Sequence, residues 1–186
     1  MKKLIASAIV ALLAITAVQT QAQTTAKAIE KESKVEKREA RKELRKLEGK
    51  EVSSMSKDHF VSDFGHISDV KWARGGQFDE ATFTKDGQQT VAYYDYNSQL
   101  VGSTTSKKFS DLPAKAQKEI KKQYKDYVTG AVIMYDDNQD NDTNMVLFGH
   151  QFEDADHYFV TVSKGKQEIV LMVSMSGEVS YFKQVS

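Results

Sequence analysis

The 186 residues contain no cysteine and only one proline. Without cysteine there is no disulfide framework, no thiolate-bound metal and no lipid-modified N-terminus. A secreted domain lacking these must be held by its own packed core. One proline and no long Gly/Ser runs leave no extended flexible linker. An excess of one charge sign is also missing, since 26 Lys and Arg face 26 Asp and Glu. That balance excludes a dedicated nucleic-acid binder. The catalytic motifs Gly-x-Ser-x-Gly, Gly-x-x-x-x-Gly-Lys and His-Glu-x-x-His are all absent. The reading is of a non-enzymatic protein with no cofactor.

The long apolar run that is present stands at the start. Met1-Lys2-Lys3 is basic, Leu4 to Val18 is apolar apart from Ser7 and Thr16, and Thr20-Gln21-Ala22 offers small residues to a signal peptidase. This is the layout of a secretory signal, and the run is too short to serve comfortably as a membrane span. Residues 1–22 are therefore expected to be removed, leaving a mature start at Gln23, 164 residues and a periplasmic or secreted location. No stable membrane span is expected after cleavage.

Residues 23–50 read as a charged helical arm. From Lys27 to Glu51 there are ten Lys/Arg and seven Glu, with no Pro, and Gly49 is a stop. Ala40, Leu44 and Leu47 form a narrow apolar stripe. The interleaved charges suit a solvated spacer, and an anionic partner is the competing reading.

Residues 51–186 form the body. Ser56 to Phe64 reads as a helix capped by Ser56 and ended by Gly65. Alternating segments follow around Val70–Ala73, Ala81–Thr84, Thr90–Tyr96 and Leu100–Thr105, with an Asp86-Gly87 hairpin signal. A second helix from about Ser110 to Tyr124 places Leu112, Ala116, Ile120 and Tyr124 on one side. Strand signals return at Val128–Tyr135, Met145–Phe148, Tyr158–Ser163, Gln167–Met175 and Glu178–Lys183. An offset of 79 residues superposes Ala81 on Val160, Phe83 on Val162, Ala92 on Leu171, Tyr94 on Val173 and Leu100 on Val179. The expected fold is α+β. Tandem helix-plus-antiparallel-strand repeats, approximately 55–106 and 107–186, form one long sheet with both helices on one face, preceded by the charged N-terminal helix.

Val70-Lys71-Trp72, Phe78 to Phe83, Asp86-Gly87, Ala92-Tyr93-Tyr94-Asp95 and Ser110-Asp111-Leu112-Pro113 together resemble the PepSY-like proteins. These are secreted proteins common in Bacteroidetes and grouped with the β-lactamase-inhibitory-protein-like fold. The resemblance spans roughly 50–186. The chain departs from the pattern at Ser98, where a turn glycine is expected. The resemblance implies a tandem helix-and-sheet fold and a binding or inhibitory role, and it carries no catalytic residues.

Strand parity assigns the candidate site. Ala81, Phe83, Ala92, Tyr94, Ile169, Leu171 and Val173 belong beneath the helices, which turns Val91, Tyr93, Phe159, Val170, Met172 and Phe182 the other way. A one-sided sheet should be polar there. The apolar face is read as an open docking surface for a protein or peptide partner, with cover by the arm's stripe as the competing explanation. Inhibition of an envelope enzyme is one form of this reading. A second is a small-ligand or metal-responsive module using Asp136, Asn138, Asp140 and Asp142, which alternate like half a calcium loop. Asn141 stands where that loop needs glycine and Leu147 where it needs glutamate, so a solvated acidic loop is favoured. His59, Asp63 and His66 have zinc-like spacing, but Gly65 interrupts it. Lys115, Lys118, Lys122 and Lys125 share a helix face that suits solvent or an acidic partner.

Overall fold

The structure, a computed structural model, describes residues 36, 39, 40, 43, 49, 51–153 and 155–185. The chain divides into two compact units, Met1–Leu47 and Glu48–Ser186. In the first, Glu36, Glu39, Ala40 and Glu43 are helical and exposed. The expected signal and most of the expected arm, including Leu44 and Leu47, lie outside the described residues.

The second unit opens with helix α1 (Ser54–Phe64), then strands β1 (Lys71–Gly75), β2 (Phe78–Lys85), β3 (Gln88–Tyr94) and β4 (Leu100–Lys107). A turn of 3-10 helix at Phe109–Asp111 leads to helix α2 (Ala114–Gln123). Strands β5 (Val128–Asp137), β6 (Val146–Leu147), β7 (His150–Gln151), β8 (His157–Lys164), β9 (Gln167–Ser174) and β10 (Val179–Gln184) complete it. Eight strands make one sheet in the order β1-β2-β3-β4-β5-β8-β9-β10, and β6 pairs with β7 apart from it. A helix followed by four antiparallel strands thus occurs twice. Met145–Phe148, expected as a strand of this sheet, contributes only the short β6 outside it.

Turn chemistry accounts for the meander. Asp86 and Gly87 both have positive φ, 53° and 74°, between the paired Lys85 and Gln88. Two such residues give the hairpin turn whose twist matches its strands. The β3–β4 and β9–β10 turns correspond: the Ser98 N–H donates to the Asp95 carbonyl as the Gly177 N–H does to that of Ser174. Ser98 takes φ 59° where its counterpart Gly177 takes 84°. The serine therefore enters the left-handed region that its counterpart reaches with glycine, and its buried hydroxyl donates to Ser53 Oγ at 3.2 Å.

Both helices lie on one face of the sheet. Beneath α1, Phe60, Ala81, Phe83, Ala92 and Tyr94 are buried. Phe60 meets Phe83 edge-on at 5.0 Å and Trp72 at 5.5 Å. Such tilted contacts suit the ring quadrupoles and add about 0.5–1.5 kcal/mol per pair to burial. Beneath α2 the same role falls to aliphatic side chains: Leu112, Ala116 and Ile120 pack on Val132, Val160, Val162, Ile169, Leu171 and Val173. One repeat has an aromatic core and the other an aliphatic one.

The N-terminus of α1 corrects the sequence reading. Ser53 is the N-cap, and Ser56 lies inside the first turn. The cap comes from β2. The Asp79 carboxylate accepts the Ser53 N–H at 3.2 Å and the Ser56 hydroxyl at 2.7 Å. Arg74 Nε donates to its other oxygen at 2.8 Å, and the Asp79 side chain is fully buried. An anion at a helix N-terminus satisfies free N–H groups and meets the positive end of the helix dipole. Here it also joins α1 to the β1–β2 hairpin. Removing one partner of a buried ion pair leaves an uncompensated charge, at a cost of about 3–5 kcal/mol. Arg74→Met should lower stability by that amount in urea melts, and Ser56→Ala by about 1–3 kcal/mol. A loss below about 1 kcal/mol for Arg74→Met would remove the pair from its structural role.

Candidate functional site

Strand alternation places Val91, Tyr93, Phe159, Val170, Met172 and Phe182 on the face away from the helices, as their parity requires. The openness of that face needs correction. The second repeat has a 138–156 insertion between its first two strands, where the first has only Gly76-Gln77. The insertion folds back as a flap over the sheet. Met145, Leu147 and Phe152 are buried against Val101, Tyr135, Phe159 and Val170. The Phe152 ring lies 4.9 Å from Phe159 and 5.1 Å from Tyr135. Phe159 and Val170 are wholly buried and cannot touch a partner while the flap is down. Val91, Tyr93, Met172 and Phe182 remain half-buried.

The flap is tied along its length. The Asn138 side chain donates to the Leu100 carbonyl at 2.7 Å and that of Asn141 to the same oxygen at 3.0 Å. The Thr143 hydroxyl reaches Asp95 at 3.2 Å, and Lys183 Nζ donates to the Phe148 carbonyl at 2.7 Å. Beneath the flap, Tyr93 pairs with Gly102 and Tyr94 with Leu100, so Val101 is the extra residue of a bulge. Gly102 is required there, because a Cβ would come within 2.6 Å of the Tyr135 ring. The tip of the β6–β7 hairpin is Phe148-Gly149, with φ 52° and 69°. A bulky residue in the left-handed region costs roughly 1–2 kcal/mol. Phe148 holds it with its ring 6.2 Å from Phe159 and 6.4 Å from Phe182, 40% exposed.

Where the flap ends, the face mixes apolar side chains with hydroxyls. Thr82 pairs with Val91, Val91 with Thr104, and Ser106 with Ile133. Thr82, Val91 and Ile133 are each half exposed. Tyr93 borders this strip, its ring 6.1 Å from Phe78 and its hydroxyl 3.2 Å from Thr104 Oγ1. Burial pushes the Tyr93 phenol above its ordinary range.

The acidic residues do not converge. Asn138 uses its side-chain nitrogen on Leu100, and its oxygen lies 3.4 Å from the Asp140 N–H. Asp136, Asp140 and Asp142 are exposed. Among the described residues no group of three or more acidic or histidine side chains could hold a metal. Nor do His59, Asp63 and His66 meet. His59 Nδ1 contacts the Ser98 carbonyl, Asp63 accepts the Tyr94 hydroxyl at 3.0 Å, and α1 ends before His66. On α2, Lys115 pairs with Glu178 and Lys118 and Lys122 are exposed, as is Lys125 just beyond the helix end.

The architecture is shared with solved structures from Bacteroides. A BLIP-like protein from Bacteroides fragilis NCTC 9343 is 19% identical, with a TM-score of 0.57 over 73% of this chain and 87% of that one. A DUF2874 family protein from Bacteroides uniformis ATCC 8492 is 13% identical, with a TM-score of 0.60 over 73% of this chain and 91% of its own. A protein from Bacteroides eggerthii DSM 20697, provisionally described as periplasmic, is 13% identical, with a TM-score of 0.58 over 72% of this chain and 88% of its own. This is a BLIP-like fold. No protein-family model matches the sequence, and no curated protein matches it.

Sequence reasoning missed the flap, although a signal existed. Buried positions correspond at an offset of 79 in the strands, Ala92 to Leu171, but 60 in the helices, Phe60 to Ile120. The difference of 19 is the number of residues added between corresponding positions of the first two strands, in a longer β5 and the 138–156 connection, and Met145, Leu147 and Phe152 are apolar residues inside that connection. Phe152→Ala should cost about 3–5 kcal/mol. It should also raise hydrogen exchange in the flap and fluorescent-dye binding to the face, with β2 and β3 still protected. Unchanged dye binding would refute cover by Phe152.

Asp136 gives a pH prediction. Partial burial of its carboxyl, then the Asp156 and Asp137 charges, raise its pKa, with Lys85 opposing. A raised carboxylate pKa favours the protonated folded state. Stability from this group is thus greatest at low pH and is lost as pH rises from the ordinary value of 3.8 through the folded pKa. Asp136→Asn should raise the midpoint of denaturant unfolding slightly at neutral pH and flatten its pH dependence above that value. A steeper dependence in the variant would contradict the sign.

Proposed function

We propose that the mature chain is a non-enzymatic envelope protein, periplasmic or secreted, that docks a protein or peptide partner on the sheet face away from its helices. The contact strip is Thr82, Val91, Tyr93 and Ile133, bordered by the outer surface of the flap with Phe148. Met172 and Phe182 lie at the opposite margin of the flap. One observation carries the reading. Past the edge of the flap this face keeps Val91, Tyr93 and Ile133 half exposed among Thr82, Thr104 and Ser106, where a solvated antiparallel face would carry polar side chains alone. Val91 and Tyr93 on β3 and Ile133 on β5, with Thr104 and Ser106 of β4 between them, offer a rigid, low-entropy surface for association. The BLIP-like fold, the resemblance to PepSY-like proteins and the signal layout all support this reading. Inhibition of an envelope enzyme would be one consequence of such docking.

Site-directed photo-crosslinking in envelope extracts tests the proposal. A photoreactive side chain at Val91 or Ile133 should give one discrete adduct, competed by unlabelled protein, and one at Lys118 on α2 should give none. Val91→Asp should reduce adduct formation at 133 about tenfold or more while leaving the melting curve within about 0.5 kcal/mol of the parent. Equal labelling from both faces, or adducts insensitive to Val91→Asp, would reject this docking face.

A further inference from the structure

On the helix side of the sheet a groove opens beside Phe64 at the C-terminal end of α1. It lies over β4, at the junction of the repeats, and has a volume of about 340 Å³. Its chemistry is polarised from end to end. Lys107 stands at one end, Asp136 lines the other, where the charge of Lys85 also acts on it, and the floor between them carries the hydroxyls of Thr90, Ser103 and Thr105. Strand register sets the spacing. Lys107 pairs with Val132 and Ser103 with Asp136, so the ends are four residues apart along β4. At roughly 3.3 Å per residue this is about 13 Å.

Both ends and the floor have unused bonding capacity. Lys107 donates to Gln88 Oε1 at 2.8 Å, which occupies one of its three N–H groups. Lys85 rests its ammonium over the Phe64 ring at 5.3 Å. No hydrogen bond or ion pair to the Asp136 side chain occurs among the described residues, although the charges of Asp156 and Asp137 and, with opposite sign, Lys85 act on it. On the floor, Thr90 is 2% exposed. Its hydroxyl lies 3.4 Å from Thr105 Oγ1 and 3.5 Å from the Gln88 carbonyl. Both distances exceed the roughly 2.7–2.8 Å of an ordinary O–H···O bond.

We propose that this groove binds a short peptide with free termini, its carboxylate held by Lys107 and its ammonium by Asp136. An extended chain spans at most about 3.3–3.6 Å per residue, so a tetrapeptide matches the distance between the charged ends. The groove has the size of a small-ligand site, and its hydroxyl floor matches a peptide backbone. Phe64 and Leu100 among the lining residues favour small apolar side chains. The site lies on the face opposite the proposed docking strip and does not depend on it.

Calorimetric titration of the mature protein with tetra-alanine tests the proposal. Free tetra-alanine should bind, and N-acetylation or C-amidation should each weaken it about tenfold or more. Lys107→Met should remove the penalty for amidation, and Asp136→Asn the penalty for acetylation, because each deletes the group that reads that terminus. Lys107→Arg, which keeps the cation, should retain the penalty for amidation, and this separates loss of charge from loss of fold should Lys107→Met melt differently from the parent. The proposal is overturned by no binding at millimolar peptide. It is equally overturned by equal affinity for blocked and free peptides, by Lys107→Met and Asp136→Asn variants that keep both penalties, or by a dicarboxylate or diamine of the same length binding as tightly.

Discussion

Eight antiparallel strands present two faces, and in this chain both carry large apolar areas. Water cannot be left against both, so each face needs a cover, and the remaining architecture is a set of answers to that requirement. Helices α1 and α2 cover one side, α1 over a largely aromatic set and α2 over a mainly aliphatic one. The other side is covered by a long β5–β8 connection that brings Met145, Leu147 and Phe152 down onto Tyr135, Phe159 and Val170. That cover stops short of the first repeat.

The repeats are therefore equivalent in topology but not in environment. A two-residue turn in one becomes a 19-residue flap in the other. The flap is anchored through Asn138, Asn141 and Thr143 to the β3–β4 region and through Lys183 to β10, so both repeats hold it. Asp79 plays a comparable linking role on the helix side. It joins α1 to the first hairpin through a buried carboxylate that serves as helix cap and ion-pair partner together.

Much of this was legible in sequence because it rests on short-range rules. Tyr93 and Tyr94 are adjacent and identical in chemistry, yet strand parity alone assigned them to opposite faces. Tyr94 is fully buried beneath α1, and Tyr93 borders the open strip. Asp86-Gly87 marked its hairpin because two positive φ values select those residues. Ser56, by contrast, resembled a cap in sequence. The carboxylate that caps the helix lies 23 residues further along the chain, and local spacing carries no trace of it.

The candidate site divides along the same line. Local periodicity determined the α+β class, the tandem helix-and-strand order and the facing of each apolar side chain, since a period of two or 3.6 residues is written into neighbouring positions. Tertiary structure alone decided which part of the far face stays exposed, which carboxylate caps α1, and that Lys85, Lys107 and Asp136 line one groove. Those outcomes depend on strand register and on where a long insertion comes to rest. Both are set by contacts between residues far apart in the chain, which no local pattern encodes.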